Sequence, residues 1–252
     1  MDFGVRDRVY IVTGGSRGLG RATADVLIAE GAYVIISARN EQGVQRAASA
    51  LGTARVVGVA ADNSEPGAAE RLVATAMAKW GRLDGALISV GGPPPGNALD
   101  SPEDQWRQAF DSIFLGSLRT ARAVAAACRE GGSIALVLSS SVRAPIPGLA
   151  ISNGLRPGLG MLAKNLADEL GPRGIRVNGL LPGTIDTDRV REIHGTGPEG
   201  DAARQRAEAA IPLRRLGTPA EFGRVAAFLL SPMASFLTGT MVPVDGGATR
   251  AM

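Results

Sequence analysis

Ser152 and Arg156 stand four residues apart in the stretch Ile151-Ser152-Asn153-Gly154-Leu155-Arg156-Pro157-Gly158, at the start of a long apolar segment. Neither is a ready proton donor. An aliphatic hydroxyl is several units less acidic than a phenol, whose pKa is about 10, and a guanidinium with a pKa above ~12 keeps its proton. The chemistry open to the pair is hydrogen bonding and charge stabilisation: Ser152 as a donor or a link in a water relay, Arg156 as a fixed cation near a developing oxyanion.

A second constellation is Thr13-Gly14-Gly15-Ser16-Arg17-Gly18-Leu19-Gly20, which lies directly between an apolar run and a helical pattern. Small residues there let the backbone approach a pyrophosphate, and the free N–H groups of the helix start favour its charge. The end of the next apolar run reads Ser37-Ala38-Arg39-Asn40, with no acid to take up a free ribose 2′-hydroxyl. Arg39 instead offers a fork suited to a 2′-phosphate, with Arg17 as a second cation, so NADP(H) is expected in preference to NAD(H). Read blandly, both arginines are surface residues.

The elements that must position these groups follow from periodicity. Short apolar runs predict strands at 8–14, 32–38, 55–61, 85–90, 133–139, 175–181 and 240–245, and helices at about 18–30, 41–51, 65–80, 102–129, 153–170 and 219–231. Strands so uniformly apolar need helices on both faces. The fold class expected is α/β: one Rossmann-type, doubly wound sheet of seven mostly parallel strands in three layers, with residues 1–252 as a single domain. Residues 186–210 break the rhythm as a polar, Gly-interrupted insertion beyond the sixth strand, read as a substrate lid. Gly91-Gly92-Pro93-Pro94-Pro95-Gly96 reads either as a stiff pocket wall or as a rigid surface loop.

Composition narrows the function. The charge is +3, and 25 of 27 basic residues are Arg, dispersed among 24 acids rather than clustered, so nucleic acid is not an expected partner. Cys128 is the only cysteine, which excludes an internal disulfide and a Cys-rich metal site; no metal is expected. The first residues enter a strand with no signal-peptide pattern, and no apolar run reaches membrane length, so a cytoplasmic protein acting on a small molecule is expected.

The chain resembles the short-chain dehydrogenase/reductase family in its 3-oxoacyl-[acyl carrier protein] reductase-like branch. The likeness rests on TGGSRGLG, on Asp62 closing the third strand, on Pro182-Gly183-Thr184-Ile185-Asp186-Thr187, on IPLRRLGTPAEF (211–222) and on FLTGTMVPVDGG (236–247). It implies a nicotinamide cofactor contacted by Gly14, Ser16, Arg17, Gly18, Leu19, Gly20, Arg39, Asp62, Asn63, Val90, Gly91, Arg156, Pro182, Gly183, Ile185 and Thr187. It also implies a homotetramer or dimer built on the helices at 102–129 and 153–170. In that family a Ser orients the substrate carbonyl, a Tyr protonates it, a Lys four residues on lowers the Tyr pKa, and an Asn on the fourth helix completes a relay. The register places Ser152 at the Tyr, Arg156 at the Lys and Ile113 at the Asn, while the loop usually read NNAG is Ile88-Ser89-Val90-Gly91. Only the Ser remains, as Ser139, with Ser140 and Ser141 as rivals.

Tyr10 and Tyr33, the only tyrosines, read as core or strand-edge residues. Lys164 lies two turns past Arg156 and is rotated by roughly 80°. His194 is a minor candidate acid in the insertion, and Asp186 and Asp188 either meet substrate or cap a lid helix. Three readings follow: an NADPH-dependent reductase whose proton comes from water or substrate; the same enzyme acting on an iminium or conjugated enone that needs no such acid; or a catalytically silent NADP(H)-binding sensor or partner subunit.

Overall fold

The structure is a computed structural model that describes residues 2–52, 54–195 and 197–250. The apolar runs form β1 (Val9–Val12), β2 (Tyr33–Ala38), β3 (Val56–Ala60), β4 (Gly85–Ile88), β5 (Ser133–Val137), β6 (Arg176–Pro182) and β7 (Met241–Val244). They lie in the order β3-β2-β1-β4-β5-β6-β7, and every pair is parallel. Each residue of β1, β4 and β5 is buried, as strands covered on both faces must be. The strand order reverses between β1 and β4, which opens a crevice at their carboxyl ends.

The helices are α1 (Gly18–Ala29), α2 (Glu41–Leu51), α3 (Ala68–Trp80), α4 (Glu103–Ala109), α5 (Gly116–Ala127), α6 (Ala150–Leu170), α7 (Asp188–His194), α8 (Gly197–Ala210) and α9 (Pro219–Leu230). One face of the sheet packs Leu72 of α3, Val124 of α5 and Leu159 of α6. The other packs Leu27 of α1, Val44 of α2 and Phe222 of α9. Two expectations are corrected. The helix predicted over 102–129 is broken by a π-helical stretch, Phe110–Leu115, between α4 and α5. The insertion at 186–210 is two helices, α7 and α8, rather than a loop. Thr187 caps α7 at Val190, and ion pairs such as Arg204–Glu208 line α8 in place of an apolar stripe.

Two devices fix the frame behind the crevice. Gly223 of α9 lies so close to α1 that a Cβ there would sit 2.5 Å from the carbonyl oxygen of Ala22. The start of α9 is set by a capping box in which Thr218 and Glu221 bond each other's backbone. At the opposite end of the sheet the buried Arg176 of β6 donates to three carbonyl oxygens, those of Leu229 (2.9 Å), Ser231 (2.9 Å) and Leu237 (3.3 Å), where α9 ends. Burial lowers its pKa. Arg176→Met keeps much of the volume and strands those acceptors, so it is expected to lower unfolding free energy by about 2–4 kcal/mol in urea titration. A loss below about 0.5 kcal/mol would show that Arg176 does not hold this corner.

Candidate active site

The glycine loop leaves β1 at the crevice. Gly14 (φ +61) and Gly18 (φ +59) occupy left-handed backbone, and a Cβ on Gly14 would lie 2.7 Å from the carbonyl oxygen of Ser89. Gly20 presses on the carbonyl oxygen of Gly14 at 2.5 Å from its own Cβ position, which packs α1 onto the turn. Thr13 Oγ1 donates to the Ser89 carbonyl oxygen (2.9 Å) and accepts from its N–H (2.8 Å), locking the ends of β1 and β4 together. Arg17 stands at the N-cap of α1 with no side-chain cap, so the first N–H groups of the helix face the crevice. Ser16 and Leu19 are half-buried around the same turn. These are the features a dinucleotide pyrophosphate requires, and the residues fit it.

Farther along the crevice, Arg39 is exposed at the end of β2. The hydroxyl of the adjacent Ser37 is buried with no partner among the described residues. Asp62 accepts from the N–H and hydroxyl of Ser64 (2.9 and 2.8 Å), and Gly116 of α5 packs against the backbone of Asn63. A Cβ on Gly91 would meet nothing within 4 Å, whereas Gly183, just beyond Pro182, is pressed against Asp245. Ile185 is buried and bridges Gly217. The Thr187 hydroxyl accepts from Val190 N at 3.4 Å as the cap of α7.

Arg156 is the most distinctive group. It is only 5% exposed; its Nη1 donates to the carbonyl oxygen of Val137 at the end of β5, and its Nη2 to that of Val90 beyond β4, at 3.2 Å. Its Nε is buried with no partner among the described residues. Desolvation by burial pushes its pKa down to about 10, which still leaves it a cation at neutral pH. The fork thus ties two neighbouring strand ends and leaves a positive charge in the floor of the site. Ser139 lies two residues past Val137, with its hydroxyl accepting from Ser141 N (3.1 Å). Ser152, 7% exposed, stands one turn before Arg156 on α6. Ser139, Ser152 and Arg156 are therefore brought to one end of β5. Of the two rivals of Ser139, Ser140 is half-buried and Ser141 buries a hydroxyl with no partner among the described residues.

The other candidates stay away. Ile113, 1% exposed, packs into the core from the π-helical stretch. Tyr10 is fully buried with its hydroxyl 3.4 Å from the Leu230 carbonyl oxygen, and desolvation raises its pKa. Tyr33 stacks on Trp80 and carries Arg55 over its ring, and Lys164 is exposed near Gly239. His194 ends α7, but its side chain lies outside the described residues. Asp186 pairs with Arg191 (3.0 Å) and Arg204 (3.2 Å), and Asp188 with Arg191 (3.3 Å), so Thr187 rather than either acid caps the helix. No cluster of potential metal ligands occurs among the described residues.

Sequence reading missed how the loops are joined. The Pro-rich segment is bonded to the start of α6: Gly96 N donates to the Gly148 carbonyl oxygen (2.7 Å), and Ala150 N to that of Gly96 (3.0 Å). Asn153 clips the same loop through both backbone groups of Ile146 (3.1 and 2.8 Å). Arg189 of α7 donates to the Pro93 carbonyl oxygen at 2.9 Å. The segment is thus tied to α6 and α7, with Pro93 buried and Gly91, Gly92, Pro94 and Pro95 exposed. The available signal was a run of three prolines, whose carbonyls accept but whose nitrogens cannot donate.

Comparison with known proteins agrees with this geometry. The family described as Enoyl-(Acyl carrier protein) reductase matches residues 14–249. Dehydrogenase/reductase SDR family member 4 of Bos taurus is 36% identical over 96% of this chain and 87% of its own length. The short-chain reductase protein NovJ of Streptomyces niveus is 34% identical over 96% and 94%. Among solved structures, a short-chain dehydrogenase/reductase of Brucella melitensis superposes with a TM-score of 0.93 at 29% identity. L-Sorbose reductase of Gluconobacter frateurii, complexed with NADPH and L-sorbose, does so at 0.92 and 27%; both cover all of each chain. On sequence, fold and crevice together, the chain belongs to the short-chain dehydrogenase/reductase family.

Proposed function

We propose that this chain is an NADP(H)-dependent oxidoreductase that reduces a carbonyl, imine or enone group without a phenolic proton donor. The observation that carries the reading is Arg156: a buried cation anchored at the ends of β4 and β5, one turn from Ser152 and beside the loop of Ser139. When bound, the nicotinamide supplies or accepts the hydride. The pyrophosphate would be held by Gly14, Ser16, Gly18, Leu19, Gly20 and the N–H groups opening α1, with Gly91, Pro182, Gly183, Ile185 and Thr187 bounding the nicotinamide end. Asp62 and Asn63 bound the adenine end. Arg39 and Arg17 are the cations for the 2′-phosphate, a preference in keeping with the NADPH held by the L-sorbose reductase relative. Ser139 and Ser152 orient the reacting oxygen or nitrogen by hydrogen bonds. Arg156 lowers the energy of negative charge developing there, because a desolvated cation is screened far less than one in water. The proton reaches the product from water or from the substrate's own group.

The exposed Phe110, stacked on the half-buried Phe114, together with the exposed Met161 on α6, gives this face the apolar character of a contact between copies, and we assign a homotetramer or dimer to it. Among the described residues no helix is long and apolar enough to cross a membrane.

Two outcomes test the reading. Arg39→Ala is expected to weaken NADPH binding by roughly tenfold to a hundredfold in fluorescence titration, with NADH affected by less than about twofold. Equal losses for both nucleotides would count against the 2′-phosphate assignment. Ser152→Tyr with Arg156→Lys is expected to raise kcat/KM for carbonyl reduction by about 10² or more, since a general acid is typically worth ~10²–10⁴ in rate. A folded, NADPH-binding double variant with no gain would count against a latent ordinary site.

A further inference from the structure

Arg189 leaves α7, which follows β6, yet its guanidinium ends on the Pro93 carbonyl oxygen in the segment after β4. In the sheet β5 lies between those two strands, which places β4 and β6 about 10 Å apart. A side chain joining the two loops therefore spans the carboxyl end of β5, the strand that Ser139 follows and on which the Arg156 fork is anchored at Val137. The Pro-rich segment that receives it is bonded through Gly96 to the first residue of α6, two residues before Ser152.

Four carboxylates and four guanidiniums meet at this point, so the local charge is balanced. Asp186 and Asp188 are engaged by Arg191 and Arg204. Glu192 is shared between Arg189, at 3.9 Å, and Arg17, at 3.5 Å. One carboxylate thus stands between two guanidiniums, and the bond from Arg189 to Pro93 is to a neutral oxygen. A planar fork with N–H groups to spare, fixed by a stiff loop beside the reacting end of the crevice, is suited to a bidentate oxyanion.

We propose that Arg189 is a specificity-determining residue that recognises a carboxylate or phosphate group on the substrate, so that this chain acts on anionic oxo compounds. The inference rests on the proposed oxidoreductase reading. The substrate is favoured over the cofactor as the source of the anion because the glycine loop and the start of α1 already seat the pyrophosphate, while Arg189 docks on the Pro-rich segment.

The test uses NADPH-loaded protein and calorimetric titration with a panel of 2- and 3-oxo acids of three to eight carbons, each paired with its ethyl ester. At least one acid is expected to bind roughly tenfold more tightly than its ester. Arg189→Met should bring that ratio to within about twofold while leaving the NADPH dissociation constant within about twofold, and Arg189→Lys should restore part of the ratio, because a point charge keeps attraction but not the fork. Esters binding as well as acids throughout, no acid binding at all, or a preference that survives in a folded Arg189→Met protein would each overturn the inference. A roughly tenfold loss of NADPH affinity in Arg189→Met, with the acid preference intact, would assign the guanidinium to the cofactor and overturn it as well. Wild-type protein that binds acids selectively but no NADPH would sink the proposed function and leave Arg189 as an anion site, whereas NADPH binding without acid preference would sink this inference alone.

Discussion

A charge that has been removed from water must be held by something, and in this protein the guanidinium of Arg156 is held by the backbone of two strands. Its donors meet the carbonyl oxygens of Val137 and Val90, so the side chain bridges the ends of β5 and β4 from α6. Burying a cation that has no carboxylate partner among the described residues is costly, which is the origin of its lowered pKa. The cost is tolerable because carbonyl dipoles converge on it. The floor of the site, the direction of α6 and the placement of Ser152 all depend on that bridge.

From this floor the rest of the crevice is assembled by backbone closeness and by cross-links between loops. Gly14 brings the turn against Ser89 just past β4, Gly20 packs α1 onto that turn, and Gly223 lets α9 press on α1 from behind. The Pro-rich segment is stitched to α6 on one side and to α7 on the other. The arrangement has a cradle with free N–H groups at one end, a fixed buried cation with two hydroxyls at the other, and the ion-paired helices α7 and α8 beyond β6.

Much of this frame can be read in the sequence, since apolar runs bounded by glycine leave few alternatives. The seven strands lie within one or two residues of their expected limits, and the glycine loop sits where its residue types demand. The exceptions have physical causes. The break at Phe110–Leu115 depends on one extra residue accommodated inside a helix, which leaves the apolar pattern nearly unchanged. The helices α7 and α8 carry no strong apolar stripe and are supported by a Thr cap and ion pairs, so their period is weak. Serine and arginine at 152 and 156 are visible in the sequence, but the partners of Arg156 are carbonyl oxygens, which every residue possesses and no residue type announces. The same holds for Arg189 and Pro93.

The most direct test of this account is the NADPH dissociation constant of folded Arg156→Met protein, measured by fluorescence titration against wild type. If the guanidinium both ties β4 to β5 and places its charge beneath the nicotinamide end, affinity falls by roughly tenfold or more. An unchanged dissociation constant would contradict it, since the crevice would then keep its shape and its field without the bridge.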